Sequence, residues 1–173
     1  MRYPLRLLAI AATIGAMAAV PAAGTAAARR HSPARMNIVQ LAASNRQFST
    51  LVSLVKKAGL VKALEGRGPL TLFAPTNSAF AALAHKDPKL FAKVSHSKKL
   101  LAEVLEHHVV AGRLPASQVI KHRSLKTLLG QTVSVRVRGM RVYVNQARVV
   151  KANILASNGV VHAINAVLLP TLG

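Results

Sequence analysis

Thr71-Leu72-Phe73-Ala74-Pro75-Thr76-Asn77-Ser78-Ala79-Phe80 carries a strand, its stop and the start of a helix in one short stretch. The apolar run Leu70-Thr71-Leu72-Phe73 has the length of a buried strand. Pro75 holds the residue before it extended and has no N–H to give to a ladder, so the strand ends there. Thr76 follows as a helix N-cap. Its hydroxyl is expected to accept a backbone N–H at the start of a helix running through Phe80 and Leu83.

On the N-terminal side the pattern is helical. Phe48, Leu51, Val52 and Val55 fall at i, i+3, i+4 and i+7, one face of a helix. Lys56, Lys57 and Gly59 suit its C-terminus. Leu60, Val61 and Leu64 predict a second, short helix ending near Gly66. On the C-terminal side Asp87-Pro88 is an N-cap and first-turn pair. Ser95 or Ser97 starts a further helix with Leu101, Val104, Leu105 and His108 on one face.

The period then changes to two. Val133, Val135 and Val137 alternate with Ser134, Arg136 and Arg138; Gly139 offers a turn; Val142 and Val144 alternate with Arg141 and Tyr143. This predicts a hairpin with one apolar and one basic face. Ala147 to Leu155 reads as one or two more strands. Asn158-Gly159 is a turn signal, and Val160 to Leu169 a final strand closed by Pro170. Helices first and antiparallel strands second imply an α+β domain.

The N-terminus reads as an export signal. Arg2 and Arg6 precede an uncharged run, Leu7 to Val20, and small residues lead to Ala26-Ala27-Ala28 before Arg29. That layout predicts a secretory signal over 1–28, with Ala22 or Ala23 as alternative cleavage points. The apolar run is short for a membrane span. Residues 29–36 read as a basic flexible leader, with little to bury, and 37–171 as one domain. The expected location is secreted or periplasmic, with no transmembrane segment after signal removal. There is no cysteine, which excludes disulfides, thiol nucleophiles and cysteine-held metals.

The charge balance is lopsided: 24 Lys and Arg stand against 4 acids, a formal charge of +20. Losing Arg2 and Arg6 with the signal would leave +18. Such a surface attracts polyanions and repels its own copies; general solubility or an acidic habitat would also account for it. Arg136, Arg138 and Arg141 on the hairpin and Lys98 and Lys99 on a helix are the candidate polyanion-binding residues. Lys56 and Lys57 add charge. Tyr143 lies near the arginines, but no RNA- or DNA-binding motif accompanies them, so no specific nucleic acid is expected.

The residues do not point to an enzyme. A Gly-x-Ser-x-Gly elbow is missing. Glu65, Asp87, Glu103 and Glu106 are the only acids, and Asp87 already has a capping role. That leaves little for a triad or a carboxylate pair. His107 and His108 diverge by about 100° on a helix, so with His162 they make a poor metal site. His108, among apolar neighbours, is expected to be buried and hydrogen-bonded. Neither a metal nor a cofactor is expected.

Three segments resemble the signatures of fasciclin-like domains. The first is Thr71–Phe80. The second is His107-His108-Val109-Val110-Ala111-Gly112, with His107 in the family's tyrosine place. The third is Asn158-Gly159-Val160-Val161-His162-Ala163-Ile164-Asn165-Ala166-Val167-Leu168-Leu169-Pro170. They run in order over about residues 37–170. The resemblance implies a β-sandwich-like wedge of mostly antiparallel strands flanked by N-terminal helices. It gives Pro75, Thr76, His108, Asn158, Gly159 and His162 fold-building roles. It also implies an adhesion or matrix-binding module. Asn77, Asn153 and Asn165 stand where these signatures often carry aspartate. An amide keeps the hydrogen-bonding oxygen without titrating, which implies a domain that stays folded in acid.

The expected function is an exported binding or adhesion module for cell-surface or matrix components, its partner an anionic polymer or a surface protein. A structural or stress-protective periplasmic protein without a dedicated ligand is the second reading. A polymer-modifying hydrolase is the third.

Overall fold

The computed structural model describes residues 36–66 and 68–171. The expected signal over 1–28 lies outside them, as does the leader apart from Met36. The Ser157 N–H donates to the Met36 carbonyl at 2.8 Å, so this residue, read as leader, is tied to the domain.

Local chemistry sets the helices. Asn37 and Gln40 form a capping box that starts α1 (Ile38–Ser44). A 3-10 turn, Arg46–Phe48, leads into α2 (Ser49–Ala58), and Gly59 closes that helix at φ 75°, a conformation glycine adopts without strain. A short α3 (Val61–Glu65) follows. After β1 (Leu70–Pro75) come α4 (Asn77–Lys86), α5 (Pro88–His96) and α6 (Lys98–Glu106). Asp87 and Ser97 cap α5 and α6 by accepting from the Leu90 and Leu100 N–H groups at 2.9 and 3.4 Å.

Thr76 departs from expectation. It occupies the N-cap position of α4, but its hydroxyl pairs with Ser78 Oγ at 2.9 Å and caps no backbone N–H. Its main chain does the joining: the Thr76 N–H donates to the Ile164 carbonyl at 3.1 Å, and its carbonyl accepts from Ala79 and Phe80.

The remaining elements are β2 (Val109–Ala111), a short α7 (Ala116–Val119), β3 (Ser124–Lys126), β4 (Thr132–Arg138), β5 (Arg141–Val144), β6 (Ala147–Ala156) and β7 (Gly159–Ile164). The strands form one mixed sheet of seven in the order β2-β1-β7-β6-β5-β4-β3. All pairs are antiparallel except β1 with β7, which run parallel from Leu70↔Gly159 to Pro75↔Ile164. The two ends of the sheet also meet. Val110 bridges Thr127, and the Leu128 N–H donates to the Val109 carbonyl at 2.8 Å. The sheet thus curls back on itself, which protects its edges.

Curling creates two cores on opposite faces. Leu72 and Ala74 of β1, with Val161 and Ala163 of β7, face the helices and pack with Ile38, Leu51, Val55, Phe80, Leu101 and Leu105. Phe73 and Ile164 face inward, among Val110, Val119, Leu125, Val133, Val144 and Leu168. Every residue of β7 is buried. A strand covered on both faces reads as a nearly continuous apolar run, and Leu70–Phe73 is one, with the buried Thr71 as its single polar residue.

Two expectations about the C-terminal strands change. The final strand stops at Ile164 instead of reaching Leu169, because the chain leaves the sheet to place the Leu168 N–H on His108 Nε2 at 2.9 Å. The turn between β6 and β7 is Ser157-Asn158, with Gly159 already paired to Ala156 and Leu70. A side chain at Gly159 would run into the Leu70 carbonyl and the Ile38 side chain.

Asn158 does more than turn the chain. Its Oδ1 accepts from the Ile38 N–H at 2.9 Å, and its Nδ2 donates to the Leu64 and Gly66 carbonyls, both at 2.8 Å. Its own carbonyl accepts from the Leu70 N–H at 3.0 Å. One buried residue thereby joins the start of α1, the end of α3 and the start of β1. Asn158→Ala would strand these partners in the interior, at about 1–3 kcal/mol for each buried group left unsatisfied. A denaturant titration is expected to show a loss of roughly 3 kcal/mol or more, and an effect below about 1 kcal/mol would contradict this role.

Candidate functional site

The period-two pattern of β4 and β5 puts alternate residues on opposite faces. Val133, Val135 and Val144 point into the core. Arg136, Arg138 and Arg141 are exposed. The register sets Arg136 opposite Tyr143 and Arg138 opposite Arg141. A two-residue turn, Asn145-Gln146, leads to β6 and sets Arg148 on the other side of Tyr143. Arg136, Tyr143 and Arg148 therefore form one cross-strand row, with Arg138 and Arg141 in the next. The Arg138 guanidinium lies 5.9 Å from the centre of the Tyr143 ring, within cation–π range. Arg136 also walls a cleft of about 400 Å3, together with Ser134, Asn145, Gln146 and the Val167–Leu169 segment.

Nothing negative interrupts this surface. The chain has no acidic residue after Glu106, and β1 has none, so the whole sheet carries no carboxylate. Like-charged guanidiniums this close gain from any anion that spans them. Lys98 and Lys99 stand elsewhere. They open α6, which packs on α2 and α5, while β4 and β5 pair with β3 and β6. The structure groups the three hairpin arginines and leaves the two lysines on the helical layer. Arg148 was the member that sequence reasoning missed. The signal for it was the alternation continued across Asn145-Gln146.

His107, His108 and His162 are interior. His108 is fully buried; its Nδ1–H donates to the Val104 carbonyl at 2.6 Å, and its Nε2 accepts the Leu168 N–H. The backbone donor on Nε2 fixes the neutral tautomer. Burial pushes its pKa down to about 4, with nearby His107 adding to the shift and the Val104 carbonyl opposing it. His162 Nε2–H donates to the Leu114 carbonyl at 2.8 Å, and its Nδ1 accepts from the Asn153 N–H at 3.3 Å. Its ring stacks on Phe73 at 5.6 Å. His107 Nδ1 lies 3.4 Å from Thr127 Oγ1. Burial lowers the pKa of both. Among the described residues no three His, Asp or Glu gather as metal ligands would, and the rings of His108 and His162 are engaged in joining main chain.

The three asparagines all accept backbone N–H groups. Asn77 Oδ1 takes Thr50 at 3.0 Å, Asn153 Oδ1 takes Ala116 at 2.8 Å and Asn165 Oδ1 takes Arg148 at 2.8 Å. Asn77 also donates to the Arg46 carbonyl at 2.8 Å, which a carboxylate could not do. The amides remove one source of acid sensitivity, but the histidines supply another. A group with a lowered folded pKa is neutral in the fold while the unfolded chain takes up a proton. Stability is therefore full above about pH 6.5 and falls as the pH drops toward about 4. His108 alone accounts for roughly 3 kcal/mol of that fall. Chemical melts from pH 8 to 3 are expected to show the loss between those limits and a shallow slope below them. His108→Gln should flatten the decline whatever it does to absolute stability; an unchanged profile would assign the loss elsewhere.

Among the described residues no helix is long and apolar enough to cross a membrane. The fasciclin domain family model matches residues 46–170. Protein sll1483 of Synechocystis sp. is 44% identical over 137 residues, 79% of this chain and 75% of that protein. Transforming growth factor-beta-induced protein ig-h3 of Sus scrofa is 36% identical over 142 residues, 82% of this chain but 20% of that protein. The fold is similar to that of a FAS1 domain pair from the insect cell adhesion molecule Fasciclin I, with a TM-score of 0.68 at 16% identity, covering 78% of this chain and 51% of that one. The signatures read from the sequence, the mixed sheet with its helical layer and the matched span agree, and the chain belongs to the fasciclin domain family.

Proposed function

We propose that this chain is an exported fasciclin-type adhesion module that binds an anionic cell-surface or matrix polymer through the outer face of β4, β5 and β6. The carrying observation is the cluster of Arg136, Arg138, Arg141 and Arg148 around Tyr143 on a sheet without carboxylates. Family membership supports the adhesion role, since Fasciclin I is itself described as a cell adhesion molecule. In this reading the signal over 1–28 delivers the chain outside the cytoplasm. The leader, 29–36, adds positive charge, and the domain over 37–171 supplies the binding face. Long-range attraction comes from the net charge, and orientation comes from the arginine cluster. Lys98 and Lys99 add to the general field only.

Binding to an acidic polysaccharide should weaken steeply with salt. Each arginine near an anionic surface contributes about 1 kcal/mol. The triple variant Arg136→Ser, Arg138→Ser, Arg141→Ser should therefore bind on the order of a hundredfold more weakly at low ionic strength. Lys98→Ser with Lys99→Ser should change affinity by less than about threefold. Calorimetry across a salt series checks both. No binding by the unaltered chain in dilute buffer would refute the reading and favour a structural protein without a dedicated ligand.

A further inference from the structure

The hairpin of β4 and β5 runs past the core that its lower half covers. Val133, Val135 and Val144 are buried, but Val137, one rung further out and opposite Val142, is 51% exposed. The two-residue turn Gly139-Met140 then places Met140 wholly in solvent. Gly139 adopts φ 59° to make this turn. Exposed apolar groups at the apex are flanked by Arg138 and Arg141, with Arg136 one rung back. The apex is an amphipathic projection on which Met140 is fully and Val137 half exposed.

We infer that this tip docks on an anionic lipid surface, with Met140 and Val137 entering the interfacial layer while Arg136, Arg138 and Arg141 engage lipid phosphates. The inference rests on the anion-binding reading of the same face and adds the apolar tip to it. A polysaccharide offers the arginines charge but gives Met140 and Val137 nothing to enter. A lipid interface offers both, with the charge at the surface and the apolar layer a few ångströms below it. Long arginine side chains can keep their heads at phosphate depth while their stems pass apolar surface. A second copy of this chain is disfavoured as occupant, because Arg138 and Arg141 would meet the same charges on the other tip.

The chain contains no tryptophan, so Met140→Trp installs a single local reporter at a position without packing contacts to lose. With vesicles of phosphatidylcholine and phosphatidylglycerol its emission should shift to the blue and be quenched by lipids brominated in the acyl chain. Vesicles of phosphatidylcholine alone should leave it unchanged. A tryptophan at this site reports the tip even if the apolar run Leu7 to Val20 holds the chain on the vesicle. Met140→Ser, which removes the apolar group without adding charge beside Arg138 and Arg141, should lower partition onto the anionic vesicles about tenfold relative to the unaltered chain, measured with the signal segment removed by its own processing. It should leave affinity for a soluble acidic polysaccharide unchanged. Unshifted emission on anionic vesicles, with polysaccharide binding intact, would overturn the lipid inference and leave the polymer reading standing. Failure to bind both would overturn both. A blue shift without vesicles that grows with protein concentration would assign the tip to a second copy and overturn the inference as well.

Discussion

The carboxamide of Asn158 is the junction on which the architecture depends. α1, α3 and β1, all distant in sequence from Asn158, meet at it, each bringing main-chain groups that helix or strand geometry leaves without partners. A single amide offers an oxygen to Ile38 and a nitrogen to Leu64 and Gly66. A carboxylate would lack the donor, and a hydroxyl would lack the reach to serve all three. The neighbouring Gly159 follows from the same crowding, because its missing side chain lets β7 lie against the Leu70 carbonyl. The central parallel pair of strands can then be covered on both faces, and two cores can share one sheet.

His108 and His162 play the corresponding part on the other side of that pair. Each has one nitrogen on a carbonyl and one under a backbone N–H. Each therefore joins segments distant in sequence while remaining uncharged. The scaffold's polar interior is neutral, made of amides, imidazoles and hydroxyls, and no buried side-chain polar atom among the described residues lacks a partner. Charge is confined to the outside, where the outer strands of the sheet carry arginine without any acid. In the proposed contact with an extended anion, rigid support would matter, because guanidiniums held at strand spacing lose less freedom on binding than the same groups on a mobile tail.

Much of the fold was legible because its determinants are local. Asp87-Pro88, Ser97 and Gly59 mark helix ends by chemistry that acts within a turn, and the valine–arginine alternation of β4 and β5 gives both faces of the hairpin. What escaped depends on distant partners. Nothing near Leu70 says that it runs parallel to Gly159. Nothing near Asn158 says that its side chain reaches Ile38 and Leu64, so it read only as a turn residue. Thr76 has the right residue type for a cap, yet Ser78 offers its hydroxyl a closer partner. Of the basic face, Arg136, Arg138 and Arg141 were visible. Arg148 escaped although its strand was read from Ala147, because its place beside Tyr143 hangs on the register set by a two-residue turn. The irregularities within β6 between Val149 and Ile154 were equally invisible, although one of them puts Asn153 at φ 58° and directs its amide to Ala116.

The carboxylate-free sheet has a consequence for mineral ions. Calcium and magnesium bind through several oxygen ligands, acidic ones above all, and the strands offer only amides, hydroxyls and main chain. Were this face the adhesive one, as proposed, calcium could not arm it in the way that it arms acid-rich modules. In the proposed contact with an anionic polymer, divalent ions in the medium would act on the other side instead, occupying the polymer's negative groups and competing with the arginines for them. Hard water would loosen such a contact, and chelators would tighten it.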